Sequence, residues 1–142
     1  VTSFLQSLFD KKRPKKVRDV LNILKAIPEY EIGLKRGSGP GLIAGKESNN
    51  AGKIFVDMTG GTEGSKKVFG RLSQAGIDTI VSMHLSEGHF KNAKAEHINI
   101  IIAGHIVSDT LGLNLLLDSL ERREKEEFNI INSSGFVRIK RK

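Results

Sequence analysis

The chain has 142 residues, 38% of them hydrophobic, a net charge of +7, and neither cysteine nor tryptophan. That length fits one domain with room for a sizeable core. Without cysteine there are no disulfides, thiolate metal sites or cysteine nucleophiles, and a cytoplasmic location is the default expectation.

No apolar run reaches the ~20 residues of a membrane span, so no membrane partner is expected. No basic segment precedes the apolar residues of Val1 to Phe9, as a secretory signal would require. The chain lacks an initiator methionine, and we expect it to be the C-terminal part of a longer protein. Within it, residues 1–50 form a helical and loop segment, and residues 51–142 a regular strand–helix core of the same domain.

Thr2 to Phe9 reads as a short helix with Phe4, Leu5, Leu8 and Phe9 on one face. Pro14 is favourably placed to open a second helix, in which Val17, Val20, Leu21, Leu24 and Ile27 recur at helical spacing until Pro28 ends it. Tyr30 to Gly41 holds Gly33, Gly37, Gly39 and Pro40 and reads as loop or an interrupted helical turn. Leu42-Ile43-Ala44 is a short strand and Ser48-Asn49-Asn50 a turn.

From Lys53 the pattern alternates. Strands are predicted over Lys53 to Met58, Asp78 to Met83 and Ile98 to Ala103, with helices over Gly64 to Gln74, Glu87 to His97 and Thr110 to Lys125. Phe128 to Ile131 and Phe136 to Ile139, separated by Asn132-Ser133-Ser134-Gly135, read as an antiparallel hairpin. The expected fold class is therefore α/β: a mostly parallel sheet with crossover helices and a C-terminal hairpin.

The positive charge is uneven. Six of the eight residues from Lys11 to Arg18 are basic, and the chain ends Arg138-Ile139-Lys140-Arg141-Lys142. Such clusters can bind phosphates. No aromatic side chains are interleaved as stacking platforms, so a solvated face and a frayed tail are the favoured reading. Nucleic acid is not an expected partner.

If the three core strands are parallel, the segments after them open on one edge, where ligands collect in open α/β sheets. Three of the four histidines lie there: His84, His89 and His105. Asp109 follows His105 by four residues. Imidazole and carboxylate together suit Zn, Fe, Mn or Ni. Each residue also has a plainer reading. Asp109 suits a helix N-cap, His84 and His89 suit a surface loop, and Glu87 suits the first turn of a helix. His97 reads as structural. The Thr59-Gly60-Gly61-Thr62-Glu63-Gly64 loop could cradle a phosphate with backbone N–H groups, or simply turn the chain.

The Thr110 to Lys125 helix is overloaded with leucine. Leu113, Leu116, Leu117 and Leu120 form one apolar stripe, while Leu111 and Leu115 lie opposite. One stripe suffices to dock a crossover helix, so the second predicts an interface, and a homo-oligomer is expected.

Met58-Thr59-Gly60-Gly61, Gly76-Ile77-Asp78, the Ser86-Glu87 loop and Ala103-Gly104-His105 with an acid at 109 together resemble the Nif-three-like (NGG-one-interacting-factor-three-like) proteins. That family carries the label type 2 GTP cyclohydrolase I. The similarity runs from about Lys53 to Leu120. It implies an α/β protein with paired divalent metals at the centre of a ring-shaped oligomer, and carries two ligand positions onto His105 and Asp109. Asp109 is one methylene shorter than the family's usual Glu, and His84 stands where many members have Glu. The family's adjacent His pair, with a further acid, belongs to an N-terminal half outside this chain.

The resulting expectation is a divalent-metal-dependent, hydrolase-like protein with a purine nucleotide as substrate. His105 and Asp109 would be ligands, His84 and His89 additional ones, and Glu87 a proton acceptor. The alternative is a non-catalytic metal-binding interaction or regulatory module in an oligomeric assembly.

Overall fold

The computed structural model describes residues 1–59, 65 and 67–141. Six helices and four strands follow in the order α1 (Thr2–Lys12), α2 (Val17–Lys25), α3 (Pro28–Lys35), β1 (Gly41–Ala44), β2 (Lys53–Asp57), α4 (Val68–Gln74), β3 (Ile77–Ser82), α5 (Glu87–Ala95), β4 (Asn99–Ile102) and α6 (His105–Glu124) among the described residues. The sheet order is β1-β4-β3-β2. β2, β3 and β4 run parallel, with Phe55, Ile80 and Ile100 in register, and β1 closes one side antiparallel to β4. The α/β expectation holds.

Successive side chains of a strand face opposite sides of the sheet, so neighbouring residues feed separate cores. Val56, Val81 and Ile101 point into the larger core, with Leu5 and Phe9 of α1, Val20 and Leu24 of α2, Tyr30 of α3 and Leu111 of α6. Ile80 and Ile100 point the other way, against Phe69 of α4 and Ala93 of α5. Burial on both faces explains why β4 reads as unbroken isoleucine rather than as an alternating strand. β2 lies at the open side of the sheet. There the Gln6 side chain donates to the Ile54 carbonyl at 3.2 Å and accepts from the Val56 N–H at 3.3 Å. It answers backbone groups that would otherwise invite another strand.

Several sequence expectations need correction. Pro14 precedes α2 without opening it: the helix starts at Val17, where the Asp19 carboxylate takes the Lys16 N–H at 2.8 Å. Pro28 starts a helix besides ending one, occupying the first turn of α3, where its missing N–H costs nothing. Gly33 does not break α3. A Cβ there would lie 2.3 Å from the Ser38 carbonyl oxygen and 2.4 Å from Val107 Cγ1, so this glycine lets α3 abut α6.

The C-terminal hairpin does not form a strand ladder among the described residues. The Asn114 side chain of α6 donates to the Val137 carbonyl at 3.0 Å and accepts from the Ile139 N–H at 3.1 Å. Those backbone groups are therefore bound to a helix instead of to Phe128–Ile131. The same segment brings Arg138 to Asp118 at 2.7 Å and to Glu121 at 3.0 Å, and Arg141 to Glu29. The basic tail is thus a strap paired with buried carboxylates, neither frayed nor open to phosphates through these arginines. The Lys11 to Arg18 run, by contrast, is largely solvated, as expected.

The leucine faces of α6 are exchanged relative to the sequence reading. Leu111 is buried and Leu115 packs on the core, whereas Leu113 and Leu116 are exposed. The larger stripe faces outward because the inner face is completed by polar residues, Ser108, Asn114, Asp118 and Glu121, that a hydrophobicity pattern cannot count.

Candidate metal centre at the strand edge

The parallel register places the carboxyl ends of β2, β3 and β4 on one edge. After β3, the Ser82 hydroxyl donates to the His84 carbonyl at 2.7 Å, and the Ala103 N–H donates to the Ser82 carbonyl at 2.7 Å. These bonds tie the His84 turn to the end of β4. β4 then passes directly into α6 through Gly104, whose φ of 97° is a conformation that disfavours any side chain. A Cβ at Gly104 would also meet Val107 Cγ2 at 2.9 Å.

α6 consequently begins at His105, five residues earlier than the periodicity predicts, and its N-cap is Gly104. Asp109 is therefore not an N-cap. It lies one turn inside the helix, on the same face as His105. Its Oδ2 is 3.4 Å from His105 Nε2. The His84 ring lies against that of His105, with centroids 5.1 Å apart and planes 14° from parallel. Two histidines and a carboxylate, from the turn after β3 and the first turns of α6, thus meet at the edge, half-open to solvent.

The other two candidates are placed differently. His89 is buried in α5, with Nδ1 2.8 Å from the Ser86 hydroxyl and its ring edge-on to Phe69 at 5.5 Å. Ser86 is the N-cap of that helix. Glu87 sits on the helix surface in an exposed ion pair with Lys91, 2.6 Å away. That is the placement of a solvated i, i+4 pair. His97 is an exposed residue between α5 and β4, at a φ of 58°. The phosphate cradle read over Thr59 to Gly64 lies, from Gly60 onward, outside the described residues; Thr59 itself donates its N–H to the Asp57 carboxylate at 3.0 Å.

The donor chemistry at His105, Asp109 and His84 suits a divalent transition metal, but the arrangement falls short. Catalytic zinc sites use three protein ligands and structural ones four. Among the described residues, no group of three or more His, Cys, Asp or Glu side chains is arranged to hold an ion. The three side chains meet at the edge without forming a complete ligand set among the described residues.

A cleft of about 660 Å³ opens beside His84, between the sheet and α4, and includes His89. Its floor is Phe55, Phe69, Leu72 and Ile80, and its rim carries Lys67 and Arg71. Nothing in the sequence marked these residues of β2, α4 and β3 as a site.

The architecture is that of an α/β protein with a histidine–carboxylate edge on a parallel sheet. Solved structures sharing the fold include a NIF3 superfamily protein from Sphaerobacter thermophilus, with a TM-score of 0.64 and 24% identity over 86% of this chain and 44% of that one. Reduced HcgD from Methanocaldococcus jannaschii matches with a TM-score of 0.57 and 19% identity over 80% of this chain and 41% of that one. A Bacillus cereus protein related to NIF3 matches with a TM-score of 0.51 and 15% identity over 87% of this chain and 33% of that one. The chain spans less than half the length of each of these structures. No protein-family model matches the sequence, and no curated protein is significantly similar to it. What is shared with the Nif-three-like structures is the fold. Among the described residues no helix is long and apolar enough to cross a membrane.

Proposed function

We propose that this chain contributes His105 and Asp109, with His84 alongside, to a divalent-metal centre of a hydrolase-like protein. The observation that carries the reading is the convergence at the strand edge: His84 stacked on His105 at 5.1 Å, and Asp109 3.4 Å from the His105 ring nitrogen. The remaining donors would come from outside the described residues. A bound ion of this kind lowers the pKa of its water and supplies hydroxide at neutral pH. The purine-nucleotide substrate rests on the resemblance alone. Glu87, held in a surface ion pair, is not part of this constellation.

The second reading is a non-catalytic metal-binding module in an oligomeric assembly. It is favoured by the donor arrangement, since among the described residues no three such side chains are placed to hold an ion as a catalytic site requires.

Elemental analysis for Zn, Fe, Mn and Ni tests the centre. The chain should retain metal through gel filtration, and His105→Ala and Asp109→Ala should each lower its content at least several-fold. Equal metal in the parent and both variants, or none in any, overturns the assignment. Nucleotide turnover abolished by chelator supports the hydrolase reading. Metal without turnover supports the module.

A further inference from the structure

The cleft beside His84 is built differently from the metal edge. Its floor is hydrocarbon: Phe55, Phe69, Leu72 and Ile80 come from β2, α4 and β3. Phe55, on the edge strand β2, is 38% exposed, which opens its ring to an occupant of the cleft. Its volume of about 660 Å³ falls in the usual range of small-molecule sites, roughly 300–1,000 Å³.

Lys67 and Arg71 stand one helical turn apart on its rim, and among the described residues neither is joined to a carboxylate in an ion pair. One carboxylate, Asp57, also lines the cleft; it accepts from the Thr59 N–H at 3.0 Å and the Thr59 hydroxyl at 2.5 Å, which turn it toward the end of β2 without removing its charge. Ser82 already donates its hydroxyl proton to the His84 carbonyl. The site therefore combines an apolar floor with two cations against one carboxylate, a balance that favours an anion.

We propose that this cleft binds a small aromatic anion, a carboxylate or phosphate on an otherwise apolar ring system. Arg71 and Lys67 hold the charge, and Phe55 and Phe69 hold the ring. The guanidinium of Arg71 can take two oxygens of the anion at once, with Lys67 as a point charge beside it. A nucleobase is the poorer occupant, because its polar ring edge would meet hydrocarbon and lose hydrogen bonds to water. The inference rests on the proposed function only in that His84 borders both sites, and it requires neither metal nor turnover.

The test is fluorescence titration of the chain with 1-naphthyl phosphate in the presence of chelator; the chain has no tryptophan to interfere. Saturable binding should be at least tenfold tighter than for 1-naphthol, inorganic phosphate or guanosine monophosphate in competition. The double variant Lys67→Gln/Arg71→Gln should weaken it at least tenfold. Phe55→Ser should weaken it several-fold. All three side chains are exposed or partly so, and an unchanged urea midpoint confirms that the fold is intact. Equal affinity for 1-naphthol, tighter binding of the nucleotide, full affinity in the double variant, or no saturation in the millimolar range each overturns the proposal. Because chelator is present throughout, failure here leaves the metal reading standing, and loss of the metal reading leaves this result unaffected.

Discussion

Tyr30 offers a direct test of how the site helix is anchored. It is the chain's one tyrosine, fully buried, with its hydroxyl 3.0 Å from Ser108 Oγ. Ser108 lies between His105 and Asp109 in sequence, and its own hydroxyl proton is directed to the Gly104 carbonyl at 2.6 Å. The phenol must therefore be the donor to Ser108, a bond that ionisation would destroy. Burial raises the Tyr30 pKa from 10.0 to about 12, and the neighbouring Glu29 adds to the rise.

A group whose folded pKa is raised contributes stability below its unfolded pKa and loses it as pH rises through the folded value. The loss should fall between pH 10 and about 12. At 1.36 kcal/mol per pKa unit it amounts to about 3 kcal/mol. Phenolate absorbance at 295 nm reports this residue alone, and should appear in the native chain near pH 12 but near pH 10 in urea. Lysines also titrate in this range, so Tyr30→Phe is the control. It should cost about 1 kcal/mol at pH 7 for the lost hydrogen bond, and its unfolding midpoint should fall less steeply above pH 10. Native titration near pH 10, or identical alkaline limbs in both proteins, would refute the buried donor and with it the anchoring of α6.

The strap predicts that Arg138→Ala destabilises the chain by about 3 kcal/mol in urea unfolding. That is the low end for breaking a buried pair, because the Arg141 N–H still reaches Asp118. The Phe128 N–H, with Lys140 and Arg138, holds the Glu121 pKa below its usual value, so its contribution is present above about pH 4 and is lost as pH falls through the depressed folded value. Release of the tail at acid pH, read by protease cleavage after Arg138, checks this. The outer stripe of α6, with Ile106 73%, Leu113 43% and Leu116 54% exposed, predicts self-association. Light scattering should show a species larger than the monomer that Leu116→Glu returns to monomer, and a monomeric parent chain would refute it.

The parallel core was legible because its two inner strands, β3 and β4, buried on both faces, read as short apolar runs between turn residues. No alternation was needed: the run from Ile98 to Ala103 sufficed, and the edge where His84 and His105 meet followed from parallel pairing alone. Three of the misreadings share one cause. Gly33, Asn114 and Asp118 act through tertiary partners, and a local pattern assigns each of them to something else. Gly33 looks like a helix breaker because its neighbour Val107 lies far along the chain, in α6. Asn114 and Asp118 look like solvent-facing positions because the strap they bind comes later in the chain. The start of α6 was misplaced for a further reason. Gly104 reads as the end of a strand, and only its positive φ reveals that the helix follows without a loop.

α6 joins these observations into one mechanical unit. Its first turns carry His105 and Asp109 at the strand edge, and Gly104 fixes the angle at which it leaves β4. Along its inner face, Ser108 is held by Tyr30, Asn114 by Glu29 and the strap backbone, and Asp118 and Glu121 by Arg138. These are directional bonds, which set rotation and register more tightly than leucine packing on a sheet would. A helix positioned in this way can leave its broader apolar stripe outward without losing its seat on the core. Hence the leucines of α6 are available for contact with another surface, while the polar inner face keeps His105 and Asp109, the candidate ligands, in place.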